Sequence, residues 1–133
     1  MHENLKTYIN FVTETAQYFM DNSQFKPANR ILKQCETALT EQIPHRYAYQ
    51  YGHLFLIRNN LAQLANKLGD VNLSVQYLQQ ACESCQDPRI QNKDELPLAE
   101  TYLNLANAHA FLNDYKRACE YADKATTQAQ QHC

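Results

Sequence analysis

Glycine and proline are scarce in this sequence, with only 2 glycines and 4 prolines in 133 residues. A fold rich in β-strands needs many tight turns, and such turns depend on these two residue types. Their scarcity, together with an apolar content carried mostly by Ala, Leu and Tyr, favours helices. Because 44% of the residues are hydrophobic, a chain of this length can bury one core, and we expect a single domain over residues 1–133.

Charge runs and long apolar runs are also missing. The formal net charge is -2 and the 12 basic residues are spread along the chain, which argues against nucleic acid as the main ligand. No stretch is long and apolar enough for a signal peptide or a membrane span, so no membrane partner is expected. The 5 cysteines are an odd number without a compact framework, which predicts reduced thiols in a cytoplasmic protein.

Motifs for catalysis, cofactors or metals are lacking as well. Gly52 and Gly69 are the only glycines, so no phosphate-binding loop can be formed. The serines fall in no nucleophile motif. Cys82 and Cys85 have the spacing of a metal-ligand pair, but they lie within a predicted helix and no second pair accompanies them. We therefore expect no enzyme activity, no cofactor and no metal site.

One pattern is present three times along the chain. In each copy an amphipathic helix is followed by a short turn and a second helix. Two small residues lie 12 positions apart in every copy: Ala16 and Ala28, Ala62 and Ser74, Ala106 and Ala118. A third small residue follows 7 positions later: Cys35, Ala81 and Ala125. The shared spacing predicts three antiparallel helical pairs, at about 4–42, 46–87 and 96–131.

The predicted turns contain residues that end one helix and begin the next. Asn113 can adopt the left-handed backbone conformation that closes a helix, and Gly69 stands at the equivalent position of the second copy. Asp114 can cap the helix that follows. Pro97 is expected to open the fifth helix, and the polar segment 89–95 to form a loop.

This pattern resembles the tetratricopeptide repeat, whose signature W-x₂-L-G-x₂-Y, then A-x₃-F and a later Pro, spans about 34 residues. The copy at Tyr102–Ala125 matches it best, and the N-terminal copy has Thr15 where Leu is usual. Successive turns lie 46 and 44 residues apart, which resembles the long-helix repeats of kinesin light chains and cell-polarity adaptors. The resemblance implies an all-α fold, a right-handed α-solenoid of three helix-turn-helix repeats with six helices.

The resemblance also implies a function, the binding of a partner protein or peptide in a concave groove lined by the first helix of each pair. The candidate partner-binding residues are the side chains of these helices that the core does not need: Asn10, Thr13, Glu14, Gln17, Asn59, Asn60, Gln63, Asn66, Lys67, Leu103, Asn104, Asn107 and Phe111. Most are amides, which offer a donor and an acceptor to the backbone of an extended peptide. Simple solvation of the same amides is the open alternative.

An assembly module is the second interpretation. The last helix, from Tyr115 to about Gln131, carries Tyr121 and several alanines that would normally face another element. It is the candidate surface for a homo-oligomer, or for docking if the chain is the N-terminal part of a larger protein. His109 occupies an aromatic core position of the third repeat, where we expect a packed imidazole.

Overall fold

The computed structural model of the chain describes residues 2–42, 49–86 and 96–131. Within these ranges the backbone forms six α-helices and no β-strand. The helices are α1 (His2–Asp21), α2 (Phe25–Thr37), α3 (Tyr49–Lys67), α4 (Val71–Ser84), α5 (Leu98–Phe111) and α6 (Tyr115–Gln131). A π-helical turn, Ala38–Gln42, continues α2. The predicted loop at 89–95 lies outside the described residues.

Consecutive helices pack as pairs, and the pairs stack on one another. α1 packs against α2, α3 against α4, and α5 against α6, and the short turn within each pair makes its helices antiparallel. Between pairs, α2 contacts α3 and α4 contacts α5, while the first helices α1 and α3 also touch. This arrangement is the predicted all-α solenoid of helix-turn-helix repeats.

Each pair is joined by a turn with one residue in the left-handed region. These residues are Ser23 (φ 58°), Gly69 (φ 83°) and Asn113 (φ 63°), so the turns predicted at Gly69 and Asn113 are confirmed. The amide of the following residue donates to the carbonyl five positions earlier: Gln24 to Phe19 (2.7 Å), Asp70 to Ala65 (2.9 Å) and Asp114 to His109 (2.8 Å). All three turns are therefore Schellman motifs, which satisfy the last carbonyls of the first helix.

Side-chain caps begin two of the three second helices. Asp70 Oδ1 accepts a hydrogen bond from the Leu73 amide at 3.1 Å, and Asp114 Oδ1 accepts one from the Arg117 amide at 3.3 Å. The predicted cap at Asp114 is confirmed. Gln24 stands at the equivalent position before α2 and makes no side-chain cap, so the first pair lacks a contribution of about 1 kcal/mol that the other two have.

The core lies along the line where the paired helices cross. The small residues of the first two copies are buried there, with Ala16, Ala28 and Ser74 fully covered and Ala62 only 1% exposed, whereas Ala118 of the third copy is half-buried. Small side chains at these crossings let the helix backbones approach closely, and larger side chains such as Leu32 belong to the same core cluster. The first helices consequently keep one face free, and that face carries the candidate site.

Candidate partner-binding site

Two rows of equivalent positions cross the three first helices. The first row consists of Glu14, Asn60 and Asn104, and the second of Gln17, Gln63 and Asn107. Four of these side chains are exposed, while Gln17 and Asn60 are half-buried. Further predicted residues extend the same helices with exposed polar groups: Asn10, Asn66 and Lys67.

The amides in these rows are available for an external partner. Within the described part of the chain, Asn60, Gln63, Asn104 and Asn107 make no side-chain hydrogen bond. Each of these amides therefore presents a donor and an acceptor that no described residue of the chain engages. In α1 the corresponding groups are partly engaged, because Gln17 Nε2 donates to Asp21 Oδ1 at 2.8 Å.

Two predicted site residues make structural contacts instead. Asn59 Nδ2 donates to the Phe55 carbonyl at 2.8 Å, and Asn59 Oδ1 accepts from the Thr101 hydroxyl at 2.9 Å, which links α3 to α5. Thr13 donates its hydroxyl back to its own helix, to the Ile9 carbonyl at 3.0 Å. A sequence signal for the Asn59 contact existed, since Thr101 is a polar residue at a core position and a buried hydroxyl needs a partner.

The third repeat adds apolar surface. Phe111, at the end of α5, is 73% exposed and continues the amide rows at the position of Lys67 in the second repeat. Leu103 is 50% exposed, but it is the equivalent of Asn59, whose side chain faces the following helical pair. The two residues therefore lie on different sides of α5. Phe111 lies beside the amide rows, and Leu103 occupies the position that faces the following helical pair in the second repeat.

A polar cleft of about 410 Å³ lies between α2 and α4, on the second helices of the first two pairs. Lys33 Nζ lies 3.2 Å from Glu36 Oε1 and Arg58 Nε lies 3.2 Å from Glu36 Oε2. Lys33 also bonds to the Tyr77 hydroxyl at 3.0 Å, which is the main reason that its pKa is raised. An Arg58 guanidinium nitrogen bonds to Ser84 Oγ at 2.7 Å. Glu36 therefore bridges the cations of α2 and α3, and the contacts in this cleft join neighbouring helices.

Cys82 and Cys85, whose spacing is that of a metal-ligand pair, differ in how deeply they are buried. Cys82 is half-buried on α4, and burial raises its thiol pKa to about 11, while Cys85 is buried at the end of the helix. A raised pKa keeps a thiol protonated and therefore weakly nucleophilic at neutral pH. Among the described residues no group of three or more His, Cys, Asp or Glu could hold a metal ion.

Tyr121, which was expected to face another element, packs against α5 of its own repeat. Its ring stacks on His109 with centroids 5.5 Å apart and planes 6° apart, and on Tyr102 with centroids 6.2 Å apart. Both contacts lie within the α5–α6 pair. His109 is only 4% exposed, so its predicted role as a packed imidazole is confirmed.

Across the described ranges no helix combines the length and the apolar character that crossing a membrane requires.

Comparison with known proteins agrees with the fold. Residues 57–88 and 99–132 match the family model described as Tetratricopeptide repeat. Among solved structures, the TPR domain of Arabidopsis FLU is similar with a TM-score of 0.76 and 14% sequence identity, covering 96% of this chain and 98% of that chain. No curated protein sequence matches. The segments 57–88 and 99–132 are therefore tetratricopeptide repeats, and the chain has the all-α fold of a tetratricopeptide solenoid.

Proposed function

We propose that the chain is a protein-interaction module that binds an extended segment of a partner protein across α1, α3 and α5. The observation that carries this proposal is the pair of amide rows, in which Asn60, Asn104, Gln63 and Asn107 occupy equivalent positions and make no side-chain hydrogen bond to the residues that the structure describes. An isolated solvated Asn is ordinary, but free amides at equivalent positions of successive repeats form a regular series of donors and acceptors.

The spacing of the repeats suits a peptide backbone. Packed helices lie about 8–10 Å apart, and an extended chain advances about 3.3 Å per residue. Amides on neighbouring first helices can therefore bond to backbone groups about three residues apart. Backbone bonding provides affinity without demanding a particular sequence, whereas the exposed ring of Phe111 favours an apolar side chain at one end of the segment.

The groove suits an internal segment of the partner better than a segment that ends in a free C-terminal carboxylate. Tetratricopeptide proteins that hold the C-terminal carboxylate of a heat-shock protein place Lys and Arg on this face. The corresponding positions here carry Thr13, Gln17, Glu100 and Asn104. Without a cation at these positions, the charge-assisted hydrogen bonds to a terminal carboxylate would be missing.

The broader role follows from the same site. Side-chain amides neither ionise nor attack an electrophile, so the role we assign is binding rather than catalysis. The intervals of 46 and 44 residues between turns support the likeness to the long-helix repeats of kinesin light chains and cell-polarity adaptors. We assign the chain the role of a cytoplasmic adaptor or scaffold on that basis.

The test begins with two substitutions, Asn60→Ala and Asn104→Ala. The partner is first identified by affinity purification from a lysate, with the double variant as the comparison, and its affinity for each variant is then measured by calorimetry. Each substitution should weaken binding by about 1–3 kcal/mol, which is about 5- to 150-fold, because a backbone group of the partner loses its bond.

Asn72→Ala is the matched control, since Asn72 is an exposed asparagine on the second helix of a pair. It should leave the affinity unchanged, and the melting temperatures of all the variants should stay close to that of the wild type. Undiminished partner binding by the Asn60→Ala/Asn104→Ala variant would refute the groove.

A further inference from the structure

α1 carries a row of exposed aromatic side chains at positions whose equivalents in α3 are buried. Tyr8 is 39% exposed, Phe11 60% and Tyr18 64%. Their equivalents in α3 are almost fully covered: Leu54 (4%), Ile57 (0%) and Leu64 (2%). Those α3 side chains belong to a core cluster that contains residues of α1 and α2, so these positions pack against the preceding helical pair. In α1 the same positions hold three rings without a covering pair in the described structure.

On α6, at the other end of the solenoid, the positions that would contact a following helical pair are exposed. Val75 and Cys82 share one face of α4, and Cys82 packs against the core cluster that contains Val75 together with Leu105 and Ala108 of the third pair. This face of α4 is turned toward the third pair, and Val75 is only 8% exposed. The equivalent residues of α6, Cys119 and Thr126, are both exposed. The side chains at this end are small, whereas those on α1 are large.

We propose that these two faces bind each other, so that α1 of one copy of the chain stacks on α5 and α6 of a second copy. The proposal continues the order of packing within the chain, where the second helix of each pair contacts the first helix of the next, α2 with α3 and α4 with α5. The rings of Phe11 and Tyr18 would lie over the small side chains of α6 and beside Leu103, which is 50% exposed. Large groups on one face and small groups on the other give complementary shapes.

Charge favours the same direction of stacking. Within the chain, Lys33 of α2 faces α4, where it bonds to Tyr77 and lines a cleft with Gln76. The α6 equivalent of Lys33 is the exposed Asp123, and the α2 equivalent of Gln76 is the exposed Arg30. In a stacked pair Asp123 of one copy therefore faces Arg30 of the next. Opposite charges at this contact attract, whereas pairing two copies through the same face would place like charges together.

Such an interface is heterologous, because the two copies contribute different faces. A heterologous contact that continues a solenoid does not close on itself, so each added copy leaves one α1 face and one α6 face free. The assembly should therefore lengthen with protein concentration. The amide rows would continue from one copy to the next along the stack.

Sedimentation velocity of the purified chain in reducing buffer tests this inference, with Phe11→Asp blocking the α1 face and Cys119→Arg blocking the α6 face. Both side chains are exposed, so folding should survive, and circular dichroism checks that it does. If Phe11→Asp fails to fold, Tyr18→Asp replaces it. We expect the wild type to grow with concentration and each variant alone to stay at the monomer mass of 15.5 kDa.

A mixture of the two variants gives the sharpest result. Each variant keeps the face that the other lacks, so the mixture should form a 1:1 dimer and nothing longer. Lys6→Gln is the matched control, because it changes the net charge by the same amount as Phe11→Asp at another exposed residue of α1, and it should assemble like the wild type. Cys119→Ser should also assemble, which excludes a disulfide as the cause.

Three outcomes would overturn the inference. One is a wild-type chain that stays monomeric at every concentration tested. The second is a dimer abolished by Phe11→Asp and unaffected by Cys119→Arg, which would indicate symmetric pairing of two α1 helices. The third is assembly that neither variant changes, which would place the contact on another surface.

Discussion

The hydroxyl of Thr101 lies 2.9 Å from Oδ1 of Asn59 and joins two helices across 42 residues of sequence. The same oxygen also lies 2.9 Å from the carbonyl of Pro97 in its own helix. A hydroxyl carries one hydrogen, so it shares this hydrogen between the two acceptors. Since Thr101 is only 1% exposed, this hydrogen bond is shielded from water in the folded chain.

Removing this contact should destabilise the fold. Asn59→Ala should lower the free energy of unfolding by about 1 kcal/mol relative to Asn60→Ala, because only the first substitution removes a buried hydrogen bond. The gain in helix propensity from Asn to Ala is common to both variants and cancels in the comparison. Urea denaturation followed by circular dichroism measures the difference, and equal midpoints for the two variants would contradict the structural role of Asn59.

Glu36 forms ion pairs with Lys33 of α2 and Arg58 of α3, and its substitution should lower the free energy of unfolding. Its side chain is 14% exposed and that of Arg58 is 18% exposed, so Glu36→Gln leaves a poorly hydrated charge without its counterion. We expect a loss of about 1–3 kcal/mol in unfolding free energy. Glu120→Gln, at an exposed position of α6, should change stability by less than about 0.5 kcal/mol. Similar losses from both substitutions would show that the ion pairs contribute nothing specific.

Substitutions at two of the left-handed turn residues should change the stability of the fold in opposite directions. Gly69 has φ 83° and a Cβ added there would meet no atom within 4 Å, so Gly69→Ala should cost only the backbone strain, about 1–2 kcal/mol. Ser23 already bears such strain at φ 58°, and Ser23→Gly should raise stability by up to about 1 kcal/mol. Thermal denaturation of both variants provides the check. A destabilised Ser23→Gly variant would contradict this reading of the first turn.

Buried thiols predict a loss of stability at alkaline pH. Burial raises the pKa of Cys35 from 9.0 to about 12 and that of Cys82 from 9.0 to about 11. Between the unfolded and folded pKa values the unfolded chain releases protons that the folded chain retains, so the contribution of these thiols to stability is constant below pH 9 and falls as the pH rises above it. Denaturation midpoints measured at increasing pH should fall less steeply in Cys35→Ala than in the wild type. Cys119→Ala, which removes an exposed thiol, should leave the wild-type slope unchanged.

Local chemistry made the elements of this fold predictable. A positive φ at Gly69 or Asn113 and a carboxylate cap at Asp114 depend on a few neighbouring residues, so the turns can be recognised in the sequence. The spacing of small residues, as in Ala62 and Ser74, follows from the close crossing of two helices joined by a short turn. The repeated pattern and the helical pairs are therefore properties of short segments.

The tertiary structure decided which neighbour covers each side of a helix. Asn59 and Asn60 are adjacent in sequence, yet one bonds to α5 and the other makes no side-chain bond within the described chain. Tyr121 packs within its own pair, and the rings of α1 remain exposed at positions that are buried in α3. Helical periodicity locates the apolar stripe of a helix, but the angle at which the pairs stack sets the boundary of that stripe. That angle results from contacts between residues more than 40 positions apart, such as Asn59 and Thr101, and short-range sequence patterns do not contain it.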